Sequence, residues 1–145
     1  MTLKMDADAL TAFLAEAFPQ VAADFTVVAA EPDLLRVRLD VAERHLRPGG
    51  TVSGPSMFAL ADVAIYLAIL ARIGPEALSV TTNCSIDFMR KPAAGVPLVA
   101  EARLLKLGRV LAVGDVLIFS EGVAAPVARA SLTYSIPPAR PQAAR

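Results

Sequence analysis

Asp62 is a carboxylate in the middle of the most apolar stretch of the chain. Residues 55–73 read PSMFALADVAIYLAILARI, and Asp62 is the one charge before Arg72. An ionised carboxylate taken out of water without partners costs several kcal/mol. Such a group is either well hydrogen-bonded or kept there because a reaction needs an acid, a base or a nucleophile. Its bland alternative is a structural carboxylate bonded to serine, threonine or backbone across a subunit interface. Two sets of residues are candidates for its company. Tyr66 follows one helical turn later, within reach of a hydrogen bond. Thr81, Thr82 and Asn83 form a polar patch in a strand-like segment, and one of them can hold water near Asp62.

Most other chemistries lack their residues. One histidine, His45, and one cysteine, Cys84, are too few soft ligands for a zinc or iron–sulfur site. A carboxylate-only magnesium site has no motif. No nucleophile elbow, P-loop or dinucleotide fingerprint occurs. The glycine-rich stretch at residues 49–54 lacks both the lysine and the preceding strand of a P-loop. A Ser-His-Asp arrangement would need His45, and no serine stands out beside it. What remains is a carboxylate acting alone, helped by backbone N–H groups.

The elements around these residues can be read from spacing. Asp6 or Asp8 caps a first helix with Leu10, Phe13, Leu14, Ala17 and Phe18 on one side, stopped by Pro19. Residues 34–41 alternate as a half-buried strand, with Leu35, Val37, Leu39 and Val41 on one face. Pro55 suits the first position of a long helix over 55–73, and Gly74-Pro75 ends it. Four strands follow at 78–89, 98–107, 109–119 and 127–136. Leu107-Gly108-Arg109 and Ser120-Glu121-Gly122 read as tight hairpin turns. A helix apolar nearly all round needs a wrapping, and a strongly curved antiparallel sheet of about five long strands would provide it. We expect one domain over 1–136 and a flexible proline-rich tail over 137–145.

Composition narrows the setting. At 145 residues the chain suits a single domain with a real core. The hydrophobic share of 55% exceeds the usual range, which predicts an extra buried surface such as a subunit contact. Fourteen basic and fourteen acidic side chains give zero net charge with no basic stripe, so nucleic acid is not an expected partner. The 55–73 run nears the length of a membrane span, but Asp62 at its centre argues for a core helix instead. No signal peptide is read, and the lone cysteine fits a reducing cytoplasm.

Thr51-Val52-Ser53-Gly54-Pro55 with Leu60-Ala61-Asp62, and Cys84-Ser85-Ile86-Asp87-Phe88-Met89-Arg90-Lys91-Pro92 further on, carry a family likeness. The chain resembles hotdog-fold acyl-CoA thioesterases of the phenylacetyl-CoA thioesterase type over residues 34–134. That family has a His-Gly-Gly turn, then a helix with an aspartate one to two turns in, and a strand ending in Arg-Pro. The resemblance implies an α+β hotdog fold, a homodimer or homotetramer, and hydrolysis of an acyl-CoA. Coenzyme A enters only as part of the substrate, with no separate cofactor and no membrane or nucleic-acid partner. It implies Asp62 as general base or nucleophile and the Gly54 N–H as the donor that polarises the thioester carbonyl. A helix N-terminus supplies such N–H groups and a favourable dipole in any case. Thr81 matches a strand serine or threonine of some relatives. Two positions depart from the pattern: Ser53-Gly54-Pro55 replaces His-Gly-Gly, and Arg47 replaces a loop asparagine six residues before the turn. Arg47 is expected to take over part of the asparagine's role. His45, Ser53, Pro55, Tyr66, Thr82 and Asn83 are expected around the substrate. Arg90, Lys91, Lys106 and Arg109 are expected to meet the coenzyme phosphates. The alternative on the same fold is a non-catalytic acyl-CoA binder or interaction scaffold.

Overall fold

Apolar residues on every side of the Asp62 helix demand cover, and the sheet provides it together with the N-terminal residues, whose Lys4 and Met5 N–H groups donate to Ala71 O. The computed structural model describes residues 2–138. Helix α1 (Ala7–Ala17) starts at Asp6, whose side chain accepts the Ala9 N–H at 2.9 Å. Pro19 stops it and opens a one-turn helix, α2 (Pro19–Ala22). The strands are β1 (Phe25–Glu31), β2 (Leu34–Leu39), β3 (Val80–Phe88), β4 (Leu98–Leu107), β5 (Leu111–Ser120) and β6 (Ala128–Ser135). The long helix α3 (Gly54–Ile73) lies between β2 and β3 in sequence. All six strands form one antiparallel sheet in the order β1-β2-β4-β5-β6-β3.

α3 packs on β2 through β6, with Leu60, Ala64, Ile65, Leu67, Ile69 and Leu70 fully enclosed. The inward alternation meets it: Leu35, Val37 and Leu39 from β2, then Leu98, Ala100 and Ala102 from β4. Each large apolar side chain buried this way contributes about 1.5–3 kcal/mol. The fit is tightest at Gly114 of β5. A Cβ there would stand 2.4 Å from Ile65 Cδ1 and 2.9 Å from the Arg103 carbonyl oxygen. By length and composition α3 could cross a membrane, with a mean hydropathy of 1.8 over its best window, yet 67% of that window is buried inside the fold.

Two expectations need correction. The sheet has six strands, not about five, because β1 was not foreseen. Its pairing with β2 shifts register between Val27 and Ala29, and that bulge breaks the period-two pattern that marks a strand. Ser120-Glu121-Gly122 turns the chain, with Val123 N–H donating to Ser120 O at 2.9 Å, but β6 begins only at Ala128. The connection is therefore a loop over 121–127 and not a tight hairpin. The tail expected at 137–145 falls, from residue 139 on, outside the described residues.

β1 and β3 are the edges of the sheet. α1 lies against β1. β3 runs bare, and Leu78, Val80, Phe88 and Met89 on and beside it are all more than 40% exposed. An uncovered, apolar edge strand of this kind is a ready template for pairing.

Candidate active site

Asp62 sits half-buried on α3, two turns into the helix, and its carboxylate is held by one rung of the sheet. Thr81 of β3 and Tyr134 of β6 are cross-strand partners. Thr81 Oγ1 donates to Asp62 Oδ1 at 2.5 Å, and the Tyr134 hydroxyl donates to the same oxygen at 2.7 Å. Tyr134 also reaches the Asp62 main-chain oxygen at 3.0 Å. No hydrogen bond among the described residues reaches Oδ2, and no ion pair reaches the carboxylate. The rung is aimed by a bulge. β3 shifts register between Thr81 and Asn83, so Thr82 is the extra residue and the inward face passes from Cys84 to Thr81. Thr82 stays outside, its hydroxyl on Thr133 O at 3.3 Å, and Asn83 is exposed. Burial pushes the Tyr134 phenol far up, the Asp62 charge pushes it further, and the group stays a donor. Cys84 is raised by the same two causes in the same order.

Beside the carboxylate an open groove of about 470 Å³ is lined by Asp62, Val63, Tyr66, Thr81 and Tyr134, with Phe18 and Gln20 across from them. Tyr66 belongs to this groove but does not bond Asp62. Its hydroxyl donates to Ala77 O at 3.0 Å, and Phe18 meets its ring edge-on. A depression of about 520 Å³ on the outer face of the sheet is larger. Of its three carboxylates, Asp87 and Glu101 are spent in ion pairs with Arg129 and Arg36, and Asp115 is exposed on the same solvated face.

The start of α3 is a separate construction. Ser53 caps it, its Oγ accepting the Ser56 N–H at 3.3 Å, and Gly54 and exposed Pro55 occupy the first turn. Phe88, at the far end of β3, covers this turn: a Cβ on Gly54 would meet its ring at 3.2 Å. The loop before it is tied down by Ser53 N–H to His45 O at 2.8 Å and Arg47 N–H to Thr51 O at 2.9 Å. Gly49 and Gly50 take positive φ values of 102° and 85° at its tip, where a side chain would be strained. Arg47 is exposed and holds the loop through its backbone. His45 is buried. Its Nδ1 accepts the Ala42 N–H at 2.8 Å, and its Nε2 lies 3.3 Å from Asp24 Oδ2, out of line for a hydrogen bond. Arg44 pairs with Asp24 Oδ1.

One chain does not bring the predicted residues together. Gly54 and Asp62 are eight residues apart on one helix, about 12 Å along its axis. Donors to an oxyanion must lie about 3 Å from it, so no single carbonyl meets both. The four basic residues also divide. Arg90 and Lys91 follow the Phe88 end of β3, where Arg90 donates to Pro126 O at 2.6 Å. Lys106 and Arg109 stand at the β4–β5 turn, beside the opposite, Val80 end. Nine residues of strand, about 30 Å, lie between. Among the described residues no group of three or more His, Cys, Asp or Glu gathers into a metal-binding cluster.

Residues 49–127 match the family model described as thioesterase superfamily. The chain belongs to the thioesterase superfamily. As a superfamily member it is similar to mouse acyl-coenzyme A thioesterase 13, at 30% identity over 72% of this chain and 74% of that protein. It spans 57% to 74% of the length of the curated relatives it matches. A crystal structure of a "putative thioesterase" from Silicibacter sp. TM1040 superposes with a TM-score of 0.89. That protein is 62% identical over 95% of this chain and 96% of its own. The phenylacetic acid degradation protein PaaI of Thermus thermophilus, in an N33D mutant structure, is 31% identical with a TM-score of 0.70. It covers 82% of this chain and 99% of that one. The hotdog fold and the family likeness read from the sequence are therefore right. This superfamily member also holds a site residue the sequence reading missed. Tyr134 lies outside the matched segment, yet it touches Asp62 directly. Its signal was present: it occupies an inward position of β6, in phase with Ala130 and Leu132, where a buried phenol needs a partner.

Proposed function

We propose that this protein hydrolyses an acyl-CoA thioester, with Asp62 as general base or nucleophile in a site shared by two copies of the chain. One observation carries the reading. Asp62 is held through a single oxygen by neutral hydroxyls, while its other oxygen has no partner beside an open groove.

A two-fold axis that pairs two β3 edges antiparallel sets the Val80 end of one strand beside the Phe88 end of the other. Thr81 and Asp62 of one copy then face Gly54 of the second, which Phe88 marks. The same operation draws Arg90 and Lys91 of one copy toward Lys106 and Arg109 of the other, a cationic rim for coenzyme phosphates. The bare edge and its exposed apolar residues support this pairing.

As a base, Asp62 takes a proton from water while the oxygen attacks the thioester carbon. The negative charge moves to the carbonyl oxygen, where the Gly54 N–H at the positive end of α3 stabilises it. The C–S bond breaks as the carbonyl re-forms, and the carboxyl returns its proton to the departing thiolate. As a nucleophile, Asp62 would form a mixed anhydride that water then cleaves. The replaced residues at Arg47 and Pro55 favour the second reading, a binder without turnover, because they alter the groups around the helix start.

Thiol release from a panel of acyl-CoA thioesters separates the two. Wild type is expected to turn over at least one member, and Asp62→Asn to lose 10²–10⁴-fold, roughly the worth of a general base. Binding with no turnover of any member by wild type would establish the scaffold instead.

A further inference from the structure

We propose that Tyr134, with its cross-strand partner Thr81, is the positioning residue that fixes which oxygen of Asp62 reacts. The proposal rests on the reading of Asp62 as the reactive group. An ionised carboxylate has two equivalent oxygens with about four lone-pair sites in all, and free rotation would exchange them. Here Oδ1 accepts two bonds, one from Thr81 Oγ1 at 2.5 Å and one from the Tyr134 hydroxyl at 2.7 Å. Exchanging the oxygens would break both bonds around a phenol that is only 3% exposed. Tyr134 adds a contact to the Asp62 main-chain oxygen at 3.0 Å, which ties the helix backbone to β6 as well. Oδ2 is left toward the groove as the oxygen that takes a proton or bonds to carbon.

The bulge in β3 exists for this rung. A regular strand would carry the inward face from Cys84 to Thr82, and Thr81 would point to the outer face. With Thr82 as the extra residue, Thr81 and Tyr134 converge on one atom. The phenol acts as a donor and not as an acid–base group, since burial and the neighbouring charge hold it protonated. The other groups around Asp62 are the Cys84 thiol of β3, Tyr66 of α3 and Gln20 of α2. None of them is a cation, so among the described residues the two hydroxyls are what holds the carboxylate.

The test compares Tyr134→Phe, Thr81→Val, Thr81→Ser and Asp62→Asn in the full chain. It follows kcat and KM on a thioester that wild type hydrolyses, together with thermal melting. Tyr134→Phe and Thr81→Val are each expected to lower kcat on the order of 10-fold, the worth of one bond to a charged group. KM should stay near wild type, because the lost bond orients the reacting oxygen and does not hold the substrate. Thr81→Ser keeps the hydroxyl and should keep both values. A structural role alone would lower the melting point and leave the kcat of the folded variant in place. Asp62→Asn inactive, with kcat of Tyr134→Phe and Thr81→Val unchanged, overturns the positioning role alone. Asp62→Asn fully active overturns the Asp62 reading and this one with it.

Discussion

Two aspartates of this chain are both partly shielded, and their partners differ in kind. Asp24, before β1, uses both oxygens: Arg44 pairs with Oδ1, and His45 Nε2 approaches Oδ2. Both partners belong to the turn over Glu43–His45 that leads to the start of α3. Asp62 has no cation, receives two neutral donors on one oxygen and leaves the other open to a groove. A carboxylate kept for structure is best served by opposite charge and full hydrogen bonding. A carboxylate kept for reaction must be oriented without being used up. On the proposed reading of Asp62, the bonding pattern separates the two roles where residue type and burial do not.

The sharpest way to break the comparison is to neutralise each aspartate in turn. Asp62→Asn should keep its melting point near wild type and lose the turnover stated above. Asp24→Asn should do the reverse, keeping much of its turnover at low temperature while losing roughly 1–3 kcal/mol of stability, the cost of weakening a bond to a charged partner. Equal losses of activity in both would erase the distinction.

The second difference is that Asp24 finds its partners within the chain, whereas Gly54, the oxyanion donor of the proposed reading, lies about 12 Å from Asp62 along α3. Gly54→Pro removes the donor N–H while suiting the first turn of a helix, and should cost on the order of 10²–10³ in kcat. Mixed after reversible dissociation, Gly54→Pro and Asp62→Asn should complement each other. A mixed dimer has one doubly damaged site and one intact site, so random exchange restores about a quarter of wild-type activity. Two inactive variants that stay inactive when light scattering shows mixed dimers would confine the site to one chain.

A smaller effect appears in acid. Burial alone would raise the Asp24 pKa, but the hydrogen bond and charge of Arg44, with the His45 imidazole beside it, outweigh it and hold the carboxyl below its ordinary range. The unfolded chain titrates near the ordinary carboxylate value, about 3.9. Since the folded value is the lower one, the stabilisation is fully present above the unfolded value and is lost as pH falls through the folded one. Melting curves below about pH 4 should therefore fall more steeply for wild type than for Asp24→Asn. Parallel curves would mean that the Arg44–His45 contacts contribute nothing in solution.

Much of this architecture was legible because period and punctuation agreed. The Asp6 cap, the alternation of Leu35, Val37 and Leu39, and the apolar α3 bounded by Pro55 and Gly74 all fall where local physics puts them. β1 was hidden by its bulge at Val27–Ala29. Asp62 was legible because a charge in an apolar helix has few explanations, and Thr81 was among three candidates that only the register of β3 could sort. Tyr134 is separated from Asp62 by 72 residues, and the contact is created by strand order and one bulge. Such a pairing cannot be read from local pattern, although the inward phase of Tyr134 marked it as a phenol in need of an acceptor.

Arg47 offers the smallest effect and the finest distinction between the two ends of the shared site. It lies in the loop that Asp24, Arg44 and His45 brace, exposed, with its backbone in the turn and its guanidinium free of Asp62 within one chain. In the two-fold arrangement it stands at the helix start that the second copy's Asp62 faces. A guanidinium there has five donors and can serve either the thioester carbonyl or a coenzyme phosphate. The two uses leave different kinetic marks. A contact made mainly in the transition state lowers kcat in Arg47→Ala with KM nearly constant, whereas a phosphate contact raises KM alone. Solvent screening at an exposed site limits either effect to a few-fold, about 1 kcal/mol. We expect the loss in kcat, because Arg47 lies in the loop that leads into α3, and the carbonyl must lie at the start of that helix for the Gly54 N–H to reach it. Unchanged kcat and KM would leave that N–H as the sole oxyanion donor and return Arg47 to the solvent.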